Sequence, residues 1–239
     1  MKEKLIIAHR GASAHAKGNT IEAYQKAIMF GADMIETDIR KTKDNIFITY
    51  HDAHIQGTPI KELTYEEARK VAGSQGFDIP TLEDVLKYTI GKIQLDVELK
   101  EKGYEKELVG LLLTYLKKDE FVISSFNNSS LQIIKDNYPS IKVGLILEKD
   151  SHVNSTLSRR LEAFDTSKNT KPKVDFLVPH WKLLTHGLFE RAMTNNIPIF
   201  IWTINDRSLI WTFLNDERVH GIITDKPDLA VSLRSQHTF

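Results

Sequence analysis

The strongest constraint on this chain is a rhythm that runs from one end to the other. Short, nearly unbroken apolar runs alternate with longer stretches in which apolar residues recur at helical spacing. The first run, Leu5-Ile6-Ile7-Ala8, has no polar alternation, as expected of a parallel strand covered on both faces. Further runs fall at 34–39, 93–99, 121–124, 142–147, 174–178, 198–202 and 221–224. Helices are predicted over 20–30, 82–89, 104–117, 129–137, 152–164, 185–195, 206–215 and 227–233, the first opened by Thr20 as N-cap and closed by Gly31 at C′. Eight strands alternating with helices in 239 residues predict an α/β fold, a closed TIM-type (β/α)8 barrel forming a single domain over 1–239. An open doubly wound sheet is the competing architecture. It would bring a Gly-rich dinucleotide turn and a break into two halves, and the sequence has neither.

One apolar run breaks the rhythm. Residues 46–50 follow the second strand after only six intervening positions, 40–45, too few for the dozen or more that a parallel crossover needs. The run is predicted to fold back as an extra antiparallel hairpin strand. With the turn near Lys43 and Asp44, positions whose numbers sum to about 87 or 88 face one another, which sets His51 beside Glu36 and Asp38. A small insertion follows over 53–79, with one predicted helix, 65–71, capped by Thr64 with Glu67 three residues on.

Thirty-two basic residues balance 32 acidic ones, so no global field recruits nucleic acid or an anionic membrane, and specificity must sit in a local site. The chain has no cysteine, which leaves Asp, Glu and His to hold any metal ion. Met1-Lys2-Glu3-Lys4 precedes only four apolar residues, too few for a signal-peptide core, and no run approaches the ~18 apolar residues of a membrane span. The expectation is a soluble, cytoplasmic protein without integral membrane association.

In a barrel of this type functional residues gather at the C-terminal ends of the strands, and polar groups do gather there. His9-Arg10-Gly11 ends the first strand, Glu36 and Asp38 share one face of the second, and Glu98 and Lys100 end the third. Three clustered carboxylates repel one another unless a cation or a proton intervenes. A divalent ion resolves the repulsion, and all-oxygen ligands favour Mg²⁺, Ca²⁺ or Mn²⁺ over zinc. The plainer alternative is that Glu36 or Asp38 forms a salt bridge to Arg40 or Lys41. His9 and His51 would flank the bound group as an acid and base pair. Arg10 and Lys100 fit a substrate carrying negative charge, with a phosphate ester the natural candidate. Trp202 would offer an apolar wall to the leaving alcohol, or pack in the core. Phe126 is a similar case, and the other histidines, His180 excepted, read as structural.

These residues resemble the glycerophosphodiester phosphodiesterase family. The likeness runs through His9-Arg10-Gly11, Asn19-Thr20, Gly31-Ala32-Asp33, Glu36-x-Asp38, His51-Asp52, Pro80-Thr81-Leu82-Glu83, Glu98-Leu99-Lys100, Ser125-Phe126, Trp202-Thr203 and Gly221-Ile222-Ile223-Thr224-Asp225-Lys226-Pro227. The resemblance implies a TIM barrel and one divalent metal ion held by Glu36, Asp38 and Glu98. It also implies His9 and His51 as general acid and base, with phosphate contacts from Arg10 and Lys100. The implied substrates are small glycerophosphodiesters, cleaved by water to glycerol 3-phosphate and an alcohol such as choline or ethanolamine. Two alternatives stand beside this reading: a phospholipase D- or C-like activity on lysophospholipids, and a catalytically weak homologue that binds phosphodiesters. Gly18 departs from the family, which usually has Glu before Asn-Thr, and the 53–79 insertion differs from the family's run after His51-Asp52.

Overall fold

A computed structural model describes residues 3–148, 174–185 and 188–236. The helix expected over 152–164 lies outside the described residues. Eight parallel strands form the barrel: β1 (Leu5–His9), β2 (Met34–Lys41), β6 (Gln94–Leu99), β7 (Phe121–Ser125), β8 (Val143–Leu147), β9 (Phe176–Pro179), β10 (Phe200–Ile201) and β11 (Gly221–Thr224). They run in the order β10-β11-β1-β2-β6-β7-β8-β9. The ring is completed between β9 and β10 by two isolated parallel bridges, Leu177 with Ile199 and His180 with Trp202. β10 is thus shorter than the run at 198–202. Pro198 has no N–H to donate to a ladder, and its carbonyl accepts from Leu177 N at 2.9 Å.

Strand parity divides the core. Ile6, Ala8, Ile35, Leu95, Val97 and Ile222 point outward into the large cluster covered by the helices. Ile7, Met34, Ile146, Phe176, Val178, Phe200 and Ile223 point into the barrel and fill it. Because side chains alternate along a strand, the inward series continues upward to His9, Glu36 and Asp38, Glu98, Glu148, Trp202 and Asp225. The apolar plug therefore forms the floor of a polar mouth. Two glycines make room for the plug: a Cβ on Gly144 would lie 2.0 Å from the Phe176 ring, and one on Gly221 would lie 2.9 Å from Phe200.

The hairpin has the expected register. β3 (Phe47–Thr49) pairs antiparallel with β2, Ile39 opposite Thr49 and Lys41 opposite Phe47. The insertion builds a small unit of its own, with a two-stranded ladder, β4 (His54–Ile55) and β5 (Thr58–Pro59), and a short 3-10 turn at Ile60–Glu62 that the apolar pattern was too short to reveal. Its helix, Tyr65–Ser74, carries the predicted reciprocal cap between Thr64 and Glu67 and runs three residues beyond the predicted end. Ile48, Ile55, Ile60, Ala72 and Ile79 form a separate buried cluster beneath β3. The helix expected over 185–195 is instead a 3-10 turn, Trp181–Thr185, followed by Leu188–Thr194. The turn begins as soon as β9 ends, where the His180 carbonyl accepts from Leu183 N at 2.9 Å. No helix among the described residues is long and apolar enough to cross a membrane.

Gly144→Ala is expected to lower the free energy of unfolding by roughly 1–3 kcal/mol through overpacking against Phe176. Chemical denaturation measures the loss, and a wild-type midpoint would show that the barrel interior has slack at this level.

Candidate active site

The turn after β1 is held by contacts that only its residues allow. Arg10 and Gly11 both have positive φ, 56° and 80°, and a Cβ on Gly11 would lie 2.6 Å from the Ala23 backbone. A side chain at position 11 is therefore excluded. The cost of turning Arg10 into the left-handed region is offset because its N–H then donates to Glu36 Oε2 at 2.9 Å. Asn19, also at positive φ, clasps the returning loop, its N–H donating to the Arg10 carbonyl at 2.9 Å. Gly18, beside it, leaves room that a Cβ would take up 3.0 Å from Arg10 Cβ.

Glu36, Asp38 and Glu98 each present an oxygen so that all three lie within 4.8 Å of one another, and all three residues are buried. Neither Arg40 nor Lys41 neutralises them. Arg40 pairs with Glu101, and Lys41 with Glu107 at 2.7 Å. The cations at the cluster are Arg10 and Lys100. Arg10 Nε lies 3.1 Å from Asp38 Oδ2, and Lys100 Nζ spans Asp38 Oδ1 at 2.8 Å and Glu98 Oε1 at 2.7 Å. Both therefore have carboxylate partners before any anionic substrate arrives.

The electrostatic consequences are uneven. Burial raises Glu36 well above the ordinary carboxylate range, and repulsion from Asp38 and Glu98 adds to it. Burial also pushes Glu98 up, against the pull of Lys100. At Asp38 the same burial is outweighed by Lys100 and Arg10, which hold the carboxyl down. Lys100 is raised, since Glu98 and Asp38 outweigh the burial that would lower it. Burial thus favours the protonated form of two members of the trio, a cation could take the place of those protons, and the hard oxygens suit Mg²⁺, Ca²⁺ or Mn²⁺. Glu36 Oε1, buried without a hydrogen-bond partner, remains available as a donor.

The two histidines share one cavity of about 370 Å³ with Glu36, Glu98, Lys100, Phe126 and Trp202. His51 Nδ1 donates to Asp52 Oδ1 at 2.7 Å, leaving Nε2 uncommitted to Asp52. Its pKa is lowered, first by burial and then by Lys100. Phe126 and Trp202 meet edge to face at 5.8 Å, and the indole N–H donates to the Val178 carbonyl at 2.9 Å. Eight of the nine sequence-predicted residues therefore line this cavity, and the ninth, Asp38, lies just behind its wall against Lys100 and Arg10.

Four further residues at this mouth had no assigned role. Asp225 accepts from His9 Nδ1 at 2.6 Å and from Ser13 Oγ at 2.7 Å, and also bonds Asn205. Burial would raise its pKa, but these hydrogen bonds prevail and hold it at about 2, so an ionised carboxylate fixes His9 with Nε2 4.0 Å from Glu36 Oε2. Strand parity from Gly221 and Ile223 points to Asp225 as an inward residue. Asn19 donates to Asp38 Oδ2 at 2.7 Å and accepts from Asp38 N at 3.2 Å. Asp52 orients His51. Asp96 stands opposite Glu36 in register, buried, with neither oxygen in hydrogen-bond geometry with a partner. Burial pushes its carboxyl up to about 7. Its signal was a second acid in the 93–99 run, on the same face as Glu98.

Two histidines, a carboxylate cluster and two cations converge on the C-terminal mouth of a (β/α)8 barrel, and the relatives that share this chain's sequence are phosphoric diester hydrolases. The sequence matches the model of the glycerophosphoryl diester phosphodiesterase family over residues 9–229. A glycerophosphodiester phosphodiesterase of Caldanaerobacter subterraneus subsp. tengcongensis is 31% identical over 247 residues, covering 96% of this chain and 97% of that one. The chain belongs to the glycerophosphoryl diester phosphodiesterase family. Among solved structures, a glycerophosphodiester phosphodiesterase of Parabacteroides distasonis superposes with a TM-score of 0.82 at 24% identity, covering 99% of this chain and 100% of that one. An Oleispira antarctica phosphodiesterase, in complex with the product sn-glycerol-3-phosphate, gives 0.79 at 24% identity, covering 97% and 96%.

Glu36, Asp96 and Glu98 bind their protons more tightly in the folded chain than in the unfolded one. Their contribution to stability is complete below the ordinary carboxylate pKa of about 4 and is lost as pH rises through their raised values, about 7 for Asp96 and Glu98. Asp38, shifted the other way, acts only at lower pH. In chelator, the thermal unfolding midpoint is thus expected to fall between pH 5 and 8, and Glu98→Gln to flatten the slope. A wild-type profile flat over that window would contradict the electrostatics described here.

Proposed function

We propose that the chain hydrolyses glycerophosphodiesters to sn-glycerol 3-phosphate and an alcohol, with one divalent cation held by Glu36, Asp38 and Glu98. His9 and His51 transfer the protons. The observation that carries this reading is the convergence of both histidines and the carboxylate cluster on a single cavity. The product bound to the Oleispira antarctica phosphodiesterase supports the substrate class.

Among the described residues the ion pairs of the four buried carboxyls, from Glu36, Asp38, Asp96 and Glu98, run to His9, Arg10 and Lys100, and a doubly charged cation would take the place of the protons that burial favours on Glu36 and Glu98. Mg²⁺ and Ca²⁺ fit the hard oxygen donors best, with Mn²⁺ also compatible. When bound, the cation neutralises charge developing on the phosphoryl oxygens. The chain's own residues do the rest. His51, lowered by burial, is neutral near pH 7, and its Nε2 takes the proton from the attacking hydroxyl, whether water or a neighbouring glycerol oxygen. His9, held by ionised Asp225 at Nδ1, delivers a proton from Nε2 to the leaving alkoxide. Arg10, more exposed than Lys100, has terminal N–H donors beyond the Nε that faces Asp38 and grips a phosphate oxygen. Lys100 steadies Asp38 and Glu98 and adds positive charge beneath the phosphate. Trp202 and Phe126 provide an apolar wall for substrate carbons.

Packing in the insertion weighs against a lysophospholipid substrate. Ile79 is buried, and Leu63, Val71 and Phe77 pack on the insertion's own core, so they do not form an apolar landing surface at the mouth.

Glycerophosphocholine and glycerophosphoethanolamine, assayed for glycerol 3-phosphate release with Mg²⁺, Ca²⁺ or Mn²⁺, should be turned over. His9→Ala and His51→Ala should each lower kcat by roughly 10²–10⁴, and chelator should abolish turnover. Unchanged kcat in either alanine variant would remove that histidine from proton transfer. The same cations should raise the unfolding midpoint more at pH 8 than at pH 5, because protons compete for the ligands at low pH.

A further inference from the structure

The cavity of about 370 Å³ has a neighbour of about 460 Å³, and the two meet at His9, Arg10 and His51. They differ in kind. The first is bounded below by the apolar plug and walled by Phe126, Ile146, Val178 and Trp202. The second lies over the loops after β1 and β11, where Ser13, Lys17, Gly18, Asp52, Asn205 and Lys226 line a polar basin. Its rim is open, with Ala14, Lys17 and Lys226 exposed.

We propose that this basin receives the variable alcohol of the substrate, and that Lys17 and Lys226 tune it for alcohols that carry their own phosphate. The proposal rests on the hydrolytic reading above. Glycerol, common to the whole substrate class, is small and fits the bounded cavity. The moiety that changes from one substrate to another needs the open side. This arrangement places the Trp202–Phe126 wall against the glycerol carbons, and not against the leaving alcohol as the sequence suggested. It also sets the leaving oxygen beside His9, whose imidazole borders the basin.

The basin's charge follows from which groups are already engaged. Asp52 is bonded to His51 at 2.7 Å. Asp225 is bonded to His9, Ser13 and Asn205. Hydrogen bonds to His51, Ser13 and Asn205 do not cancel a carboxylate's charge, but Arg10, Lys17 and Lys226 outnumber Asp52 and Asp225 in the basin's lining. Among the described residues, the Lys226 ammonium has no ion-paired or hydrogen-bonded side chain, and Lys17 Nζ rests on the Phe77 ring at 4.8 Å. Phe77 in turn stacks on Tyr50, 6.4 Å between centroids, so the insertion props Lys17 at the edge of the basin. At the floor, Gly18 contributes neither bulk nor charge. A side chain there would crowd Arg10 and Ser13, whose Cβ atoms lie 3.0 and 3.3 Å from the position of an added Cβ. Two ammonium groups at the open rim that form no ion pair among the described residues, over a floor without charge, form a receptor for an anion rather than for a quaternary ammonium.

The test compares glycerophosphoinositol 4-phosphate with glycerophosphoinositol, which differ only in the extra phosphate, and with glycerophosphocholine. At low ionic strength kcat/KM should favour the phosphorylated substrate over its parent by about five- to tenfold, the scale of two exposed ion pairs. The advantage should shrink toward one at about 0.5 M salt. The Lys17→Gln, Lys226→Gln double variant should lose the preference while keeping the wild-type value for glycerophosphoinositol. Equal kcat/KM for the inositol pair, preference for the choline ester, or equal losses on both inositol substrates in the double variant would overturn the proposal. Calorimetric binding of the same diesters separates this proposal from the hydrolytic one. Tighter binding of the phosphorylated diester without turnover would sink hydrolysis and keep the subsite, whereas turnover with equal affinities would do the reverse.

Discussion

Four carboxyl groups share the buried mouth of this barrel, and their mutual repulsion is the interaction to which the surrounding residues answer. Asp38 stays ionised because Lys100, Arg10 and Asn19 all turn toward it. Glu36, Glu98 and Asp96 lack that degree of support and hold on to protons. Such an arrangement is costly to maintain in a low-dielectric interior. It persists because the apolar plug beneath and the β-ladders on either side leave the side chains no exit to solvent. The same confinement makes the cluster responsive, since a divalent ion entering it meets ligands whose protons it can displace.

The second constraint is steric and lies in the turn after β1. Gly11 packs so closely on Ala23 that no side chain fits, and Arg10 is driven into a left-handed conformation. That conformation aims the Arg10 N–H at Glu36 and leaves the guanidinium beside Asp38. His9, one residue earlier, keeps the inward parity of β1 and meets Asp225 across the barrel wall. A single turn thus couples His9 to the carboxylate cluster. Its rigidity comes from backbone geometry and not from the strength of any one hydrogen bond.

Much of this was legible in the linear order of residues, where the deciding physics is local. The apolar rhythm foretold the strands because a parallel strand covered on both faces must be apolar throughout, and the hairpin register followed from the short link at 40–45. Ile39 does face Thr49 and Lys41 does face Phe47. The caps at Thr20 and Thr64 act within one helical turn, and both are present. The small ladder of the insertion was not visible, since two-residue strands carry no period. Asp225 was legible as an inward residue but not as the partner of His9, which lies 216 positions away.

Residue types and parity therefore settled which side chains enter the barrel mouth: the sequence by itself determined the closed alternation of strand and helix, the hairpin that returns His51, and the inward run of acids on β2 and β6. Only the tertiary structure decided how those charges pair. Arg10 is engaged by Asp38 and Lys100 by Asp38 and Glu98, while Lys226 at the rim forms no ion pair among the described residues, and no spacing rule distinguishes these cases. The reason is physical. Lateral pairing sets β11, β1, β2 and β6 side by side although they come from distant parts of the chain, and Coulomb interactions and burial act through that space rather than along the chain.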